Sequence, residues 1–139
     1  MKKREKIANV MTKDVVTVNI NNSLQEANEL FRKKHIRHLP VVSGDKLIGI
    51  LSQTDILRIS FGNTFGDEQE GSDEAIFEML SINQVMKHSP VTVSSEDTIK
   101  DAAKILAERE FHGLPVVDDG KLVGIITTTD IMKYFLEQF

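Results

Sequence analysis

The chain carries two clusters of hydroxyl and carboxylate side chains, in Ser52–Asp55 (Ser-Gln-Thr-Asp) and Thr127–Asp130 (Thr-Thr-Thr-Asp). Ser-x-x-Asp and Thr-x-x-Asp are capping-box patterns, which satisfy the free amides at the start of a helix. The same arrangement can hold a nucleotide, because free amides and the positive end of the helix dipole attract phosphate. An ionised Asp beside them can accept hydrogen bonds from both hydroxyls of a ribose. The residues therefore leave helix capping and ligand binding open, and one cluster could serve both.

The two clusters occupy equivalent positions of an internal repeat. Residues 7–57 align with residues 82–132 without a gap, at a spacing of 75 residues, and 18 of the 51 positions are identical. The identities concentrate in Leu-Pro-Val-Val, Lys-Leu-x-Gly-Ile and Thr-Asp-Ile. Two copies with so long a period do not fit a solenoid, whose repeats are about 20–50 residues long. We interpret the chain as two copies of one small domain packed as a pseudo-twofold pair.

The first half of each copy predicts a strand and then a helix. β-branched residues at 15–18 and 91–93 are typical of a short strand. Capping boxes that begin at Ser23 and Thr98 follow, and apolar residues then recur on one face of a helix.

The second half of each copy predicts a hairpin and a second helix. Leu-Pro-Val-Val and the Gly-Ile stretch are joined by turn residues at 43–46 and 118–121. The second helix then begins at Ser52 or Thr127. The predicted fold class is therefore α+β, a β-α-β-β-α unit present twice, and each cluster lies at a junction between a strand and a helix.

The predicted organisation is repeat 1 over 7–60, a connecting segment over 61–81 and repeat 2 over 82–139. Each copy alone is marginal in size, so we expect the halves to fold against each other. Glycines and acidic residues over 66–74 predict a mobile loop, with a helix resuming near Ala75. These carboxylates could bind a divalent cation, but their spacing does not match a calcium loop, and a solvated linker is favoured.

Composition excludes several classes of function. The chain has no cysteine, so disulfides, thiolate nucleophiles and cysteine-bound metals are excluded. A net charge of −4 disfavours non-specific nucleic-acid binding. We see no signal peptide and no spanning segment, and we expect a cytoplasmic protein without membrane association. No G-x-S-x-G, H-E-x-x-H, G-x-G-x-x-G or Walker motif is present, so we predict no enzyme activity, required cofactor or metal site.

The ordered motifs resemble a known family. Val-Met, Val-Thr-Val, Leu-Pro-Val-Val, Lys-Leu-x-Gly-Ile and [Ser/Thr]-x-Thr-Asp-Ile, present twice in the same register, resemble the cystathionine-β-synthase (CBS) domain, and the pair resembles a Bateman module. The resemblance covers nearly the whole chain outside the first six residues, the acidic segment and the last few residues. It implies two clefts between the repeats that bind adenosine-containing ligands such as AMP, ADP, ATP or S-adenosylmethionine.

The resemblance also implies which residues form each cleft. One cleft has Asp130 at the ribose and Thr127 and Thr129 near the phosphate. Its further positions are Ala8, Ile36, Arg37, His38 and Ile125. The other cleft has Asp55 at the ribose, with Ser52 and Thr54. Its further positions are Ile50, Asn83, Phe111, His112 and Gly113.

The expected function is that of a regulatory, energy-sensing module that binds an adenine nucleotide and signals to a regulated partner protein. Binding would shift the population between two arrangements of the repeats. Surplus apolar residues on the second helices, at 56–59 and 131–136, predict a homodimer. The alternative is a ligand-free dimerisation or interaction scaffold, and nucleotide titration separates the two.

Overall fold

The computed structural model describes residues 4–62, 70–109 and 111–139. A short 3₁₀ helix covers Ile7–Asn9. The α-helices are α1 (Leu24–Lys34), α2 (Gln53–Gly62), α3 (Glu70–Met79), α4 (Ile82–Val85), α5 (Ile99–Arg109) and α6 (Thr128–Glu137). The strands are β1 (Val18–Asn19), β2 (His38–Ser43), β3 (Lys46–Ser52), β4 (Lys87–His88), β5 (Gly113–Asp118) and β6 (Lys121–Thr127). The mixed α and β content and the repeated order of the main elements confirm the predicted fold class.

The chain divides into two compact units that cut across the sequence repeats. Unit 1 contains the chain up to Val15, Asp45–Leu47 and Pro90–Phe139. Unit 2 contains Val16–Gly44 and Ile48–Ser89. The first segment of each repeat therefore belongs to the unit that holds most of the other repeat.

Unit 2 is built on α1 and the strands beside it. The predicted capping box opens α1, since Ser23 Oγ accepts a hydrogen bond from Glu26 N at 3.0 Å. β1 runs parallel to β2 with Val18 opposite Val41, and β4 runs antiparallel to β3. The side chains of the unit's core are Val18, Leu24, Ala27, Phe31, Leu39, Val41, Leu51, Ile56, Phe77, Ile82 and Met86.

Unit 1 repeats this arrangement around α5. The capping box of α5 joins Thr98 Oγ1 to Asp101 N at 3.2 Å. β5 and β6 form an antiparallel hairpin whose turn residues, Asp119 and Gly120, both have positive φ, as a type I′ turn requires. The core side chains are Ile7, Val93, Ala102, Leu106, Leu114, Val116 and Ile126.

The predicted first strands are much shorter in the structure. β1 covers only Val18–Asn19, because Val15 donates instead to the Lys13 carbonyl in a local turn. In the second copy, Val93 forms one isolated parallel bridge with Val116. The amides of Ser94 and Ser95 donate to Asp97 and Asp118 side chains, so they do not extend a ladder. The sequence prediction overestimated both strands because it did not include these competing acceptors, a backbone carbonyl in the first copy and two carboxylates in the second.

The connecting segment contains more helix than predicted. α3 already begins at Glu70, before the helical spacing of apolar residues resumes near Ala75. The structure also contains α4, opened by a capping box between Ser81 and Gln84 that the sequence analysis did not identify. Residues 63–69, in which part of the predicted acidic loop falls, lie outside the described residues. No helix in the described ranges is both long and apolar enough to cross a membrane.

A glycine in each long hairpin strand allows another segment to cross it closely. A Cβ added to Gly124 would lie 2.7 Å from Met11 Sδ and 2.9 Å from the Thr12 carbonyl oxygen. A Cβ added to Gly49 would clash in the same way with Met86 Sδ and would lie 2.9 Å from the Lys87 carbonyl oxygen. The Val-Met and Gly-Ile motifs therefore occur together in both repeats because the methionine of one motif packs directly on the glycine of the other.

We expect Gly49→Ala and Gly124→Ala each to destabilise the protein by about 1–3 kcal/mol, the usual cost of overpacking. A methionine side chain can move aside, but the crossing carbonyl is fixed by backbone pairing. Chemical denaturation measures the change. Gly120→Asn is the matched control, because this turn position has positive φ, which Asn tolerates, and open space around it. Equal stability of the wild type and the two alanine variants would contradict the close crossing.

Asp118 ties the end of β5 to the loop before α5. Its carboxylate accepts hydrogen bonds from the Ser95 hydroxyl at 2.5 Å, the Ser95 amide at 3.0 Å and the Ser94 hydroxyl at 3.0 Å. These bonds, those of Ser95 foremost, lower the pKa of Asp118 below its ordinary value. Three donors converge on this one carboxylate, so the ionised form is the one that the fold stabilises.

A lowered pKa predicts the sign of a pH effect. The contribution of Asp118 to stability is fully present above the unfolded-state pKa, near pH 4, and is lost as the pH falls through the folded-state pKa. Asp118→Asn should therefore reduce the melting temperature at pH 7, and its difference from wild type should shrink below about pH 4. Asp119→Asn, at the exposed neighbouring position, is the control. A difference that stays constant between pH 7 and pH 3 would show that ionisation of Asp118 does not stabilise the fold.

Candidate functional site

The Thr127–Asp130 cluster forms a complete capping box at the start of α6. Thr127 Oγ1 accepts a hydrogen bond from Asp130 N at 3.1 Å, and Asp130 Oδ2 accepts one from Thr127 N at 3.0 Å. The structural role predicted for this cluster is confirmed. Asp130 is only half-buried, so its carboxylate keeps acceptor capacity after the cap has formed.

Thr12 brings a further hydroxyl to this carboxylate. Its Oγ1 donates to Asp130 at 3.3 Å to Oδ1 and 3.4 Å to Oδ2. Its backbone is fixed by a pair of hydrogen bonds with Ile125, at 2.9 Å and 3.0 Å. Thr12 follows Met11, which packs on Gly124, so the close crossing described above places the hydroxyl beside Asp130.

Asp130 also lies at the wall of a cavity of about 360 Å³ within unit 1. The other lining residues are Glu5, Asn9, Val10, Lys133, Tyr134, Glu137 and Gln138. Ala8, which the resemblance assigns to the same site as Asp130, directly precedes the lining residue Asn9 in the sequence. An open polar cavity beside a half-exposed carboxylate can admit a small hydroxylated ligand.

The Ser52–Asp55 cluster has the same cap but different surroundings. Ser52 Oγ accepts from Asp55 N at 3.1 Å, and Asp55 Oδ2 accepts from Ser52 N at 2.9 Å. Arg58 Nη1 donates to the other oxygen, Oδ1, at 3.2 Å. The Asp55 side chain is only 2% exposed. Both of its oxygens are therefore already paired and shielded from solvent.

The turns that precede the hairpins are also equivalent in the two units. The Arg37 carbonyl accepts from Gln53 N at 2.9 Å, and the His112 carbonyl accepts from Thr128 N at 3.0 Å. Each bond fixes the turn next to the first residue of a second helix. Phe111, which the resemblance assigns to the Asp55 cleft, is half-buried and packs against the core of unit 1.

The candidate residues are distributed over both units. Unit 1 holds Ala8, Phe111, His112, Gly113, Ile125, Thr127, Thr129 and Asp130. Unit 2 holds Ile36, Arg37, His38, Ile50, Ser52, Thr54, Asp55 and Asn83. Each cleft implied by the resemblance combines residues from both sets, and that combination stays a prediction.

Sequence analysis missed two residues that contact the aspartates. The repeat alignment places Lys87 opposite Thr12 and Lys133 opposite Arg58, so neither residue type recurs. Arg58 could have been found from its i, i+3 spacing to Asp55 on a helix. Thr12 gives no such signal, because it lies 118 residues from Asp130.

A metal centre finds no support in the residues that the structure describes. Among them, no three His, Asp or Glu side chains are arranged to hold an ion. His35, which could have paired with His38, adopts a left-handed conformation that ends α1.

Comparison with known proteins agrees with this geometry. The model of the CBS domain matches residues 7–62 and 82–137. The uncharacterised protein MJ1232 of Methanocaldococcus jannaschii is 35% identical over 135 residues, which cover 96% of this chain and 40% of that protein. The chain thus spans less than half the length of this relative.

Two solved structures share the fold over nearly the whole chain. CBSX2, solved in complex with AMP, is 28% identical with a TM-score of 0.81, and the match covers 96% of this chain and 98% of that one. The CBS domain pair of MJ0100, solved with 5′-methylthioadenosine and S-adenosyl-L-methionine, is 27% identical with a TM-score of 0.78 over 94% and 98% of the two chains. Because the family model matches both repeats and the fold agrees, the chain belongs to the CBS domain family and carries two copies of the domain in tandem.

Proposed function

We propose that this chain is a non-catalytic regulatory module that binds an adenosine-containing ligand and passes its occupancy to a partner protein. The observation that carries the proposal is the half-exposed carboxylate of Asp130, fixed at a helix start beside a polar cavity. The complexes of CBSX2 with AMP, and of MJ0100 with 5′-methylthioadenosine and S-adenosylmethionine, support an adenosine moiety as the shared ligand chemistry.

Asp130 would accept hydrogen bonds from the ribose hydroxyls. Its cap to Thr127 N fixes the carboxylate without using all of its lone pairs. Thr127 and Thr129, at the amino end of α6, would lie near a phosphate, where the helix dipole favours negative charge. A regulatory effect requires that the ligand bind one state of the module more tightly than the other, because the shift in population cannot exceed that difference in affinity.

Asp130→Asn should weaken binding of AMP, ATP or S-adenosylmethionine by about 1.5–3 kcal/mol, the range for a hydrogen bond to a charged group. The amide keeps one acceptor oxygen but loses the negative charge. Isothermal titration calorimetry measures the affinity, and thermal denaturation measures the stability of the same sample.

Asp101→Asn provides the matched control for this experiment. Asp101 forms the same capping box with Thr98 at the start of α5, so both variants remove the charge from an equivalent cap. We expect Asp101→Asn to lower stability and to leave nucleotide affinity at the wild-type value. If Asp130→Asn also lowers only stability, Asp130 is a cap and the ribose assignment is wrong.

The regulatory role further includes self-association. Helix α6 buries Tyr134 but exposes Met132, Phe135 and Leu136, and Phe139, just beyond the end of the helix, is also exposed. The rings of Phe135 and Phe139 lie 4.8 Å apart and extend this apolar face. A second copy of the chain would cover it in a twofold dimer, the commonest form of homo-oligomer. The same surface also suits the alternative function, a scaffold that dimerises without a ligand.

Light scattering at micromolar concentration should give a mass near twice 15.6 kDa. Phe135→Glu combined with Leu136→Glu should reduce the mass to that of one chain, because charges replace the apolar contact. Lys104→Glu, on the exposed side of α5, is the control and should leave the mass unchanged. A wild-type protein that is monomeric at this concentration would contradict the dimer.

A further inference from the structure

The two aspartates of the repeats differ in what surrounds them, and the difference centres on one basic side chain. Arg58 lies three residues after Asp55, and Lys133 lies three residues after Asp130, so they occupy the same position of the repeat. Arg58 Nη1 is 3.2 Å from Asp55 Oδ1. Among the described residues, Lys133 forms no ion pair with Asp130.

The pairing at Asp55 engages the whole carboxylate. Ser52 N donates to Oδ2 and Arg58 donates to Oδ1, and the side chain is 2% exposed. An ionised donor and acceptor form one of the stronger hydrogen bonds in proteins, and a shielded carboxylate gains more from it than an exposed one. A ribose hydroxyl could reach Asp55 only after displacing the guanidinium.

Asp130 has no equivalent obstacle in unit 1. Besides its cap, and among the residues that the structure describes, it accepts only the Thr12 hydroxyl, at 3.3 Å and 3.4 Å, which is long for an O–H···O hydrogen bond. A ribose hydroxyl can replace such a neutral, weak donor with little loss. The carboxylate also borders the cavity of about 360 Å³.

We infer that Asp130 is the preferred ribose acceptor of this chain and that Arg58 is the specificity-determining residue that closes the Asp55 position. The inference rests on the proposed adenosine binding and adds which of the two repeats takes the ligand. A guanidinium in one repeat and an ammonium in the other decide this, because the Arg58 guanidinium donates to Asp55 and, among the described residues, the Lys133 ammonium forms no ion pair with Asp130.

The test titrates AMP into the full chain and three variants. Asp130→Asn should weaken AMP binding about tenfold or more. Adding Arg58→Gln to Asp130→Asn should recover about tenfold in affinity, because it frees Oδ1 of the second carboxylate from the guanidinium. Lys133→Arg should weaken AMP binding about tenfold in an otherwise wild-type chain, because it places a guanidinium beside Asp130. Thermal denaturation of each variant confirms that it is folded under the titration conditions.

Two results would overturn the inference. One is that Arg58→Gln does not raise the residual affinity of Asp130→Asn for AMP. An unchanged affinity would mean that Arg58 does not affect binding, and a lower affinity would mean that Arg58 contacts the phosphate of the ligand. The other is that Lys133→Arg binds AMP as tightly as wild type, and this variant remains decisive if Arg58→Gln does not fold. Failure of the proposed function has a different signature, since the wild-type chain would then bind none of AMP, ATP and S-adenosylmethionine.

Discussion

The candidate site depends on two close backbone contacts, in each of which a methionine-containing segment crosses a hairpin strand directly over a glycine. At Gly124 the Met11–Thr12 segment lies so near the strand that a Cβ would meet both a sulfur atom and a backbone carbonyl. The paired hydrogen bonds between Thr12 and Ile125 then fix the crossing in register. Met86 and Lys87 make the equivalent approach at Gly49 in unit 2. A larger residue at either glycine would separate the segments, and the side chains that follow the methionines would lose their positions.

This crossing also explains the composition of the compact units. Ile7 belongs to the core of unit 1 and Ile82 to the core of unit 2, so each repeat contributes its first apolar residue to the unit formed mainly by the other repeat. Burial of an isoleucine side chain stabilises a fold by roughly 1.5–3 kcal/mol. Each exchanged segment therefore contributes to the stability of the unit that it joins. Through this exchange Ala8 and Thr12 share a unit with Asp130.

The capping box and the proposed ligand site use different parts of the same carboxylate. The hydroxyl of each capping residue accepts a hydrogen bond from the backbone amide three residues later, and the carboxylate of that later residue accepts one from the capping residue's own amide. The capping residues are Ser23, Ser52, Thr98 and Thr127. The box alone therefore marks a helix start, whatever else the residue does. What distinguishes Asp130 is its partial exposure, the weakly held Thr12 hydroxyl and the adjoining cavity.

The sequence alone determined the repeat, the order of the main elements, the starts of the two helices that recur in each repeat and the turns, because these follow from local patterns of apolar, hydroxyl and glycine residues. The repeat also identified Asp55 and Asp130 as equivalent candidate residues. The tertiary structure alone decided the exchange of the first segments, the approach of Thr12 to Asp130 and the burial of Asp55 under Arg58. These depend on contacts between residues distant in sequence or on how much solvent reaches a side chain. Neither is encoded in local spacing, so two sequence-equivalent aspartates acquire different surroundings in the folded chain.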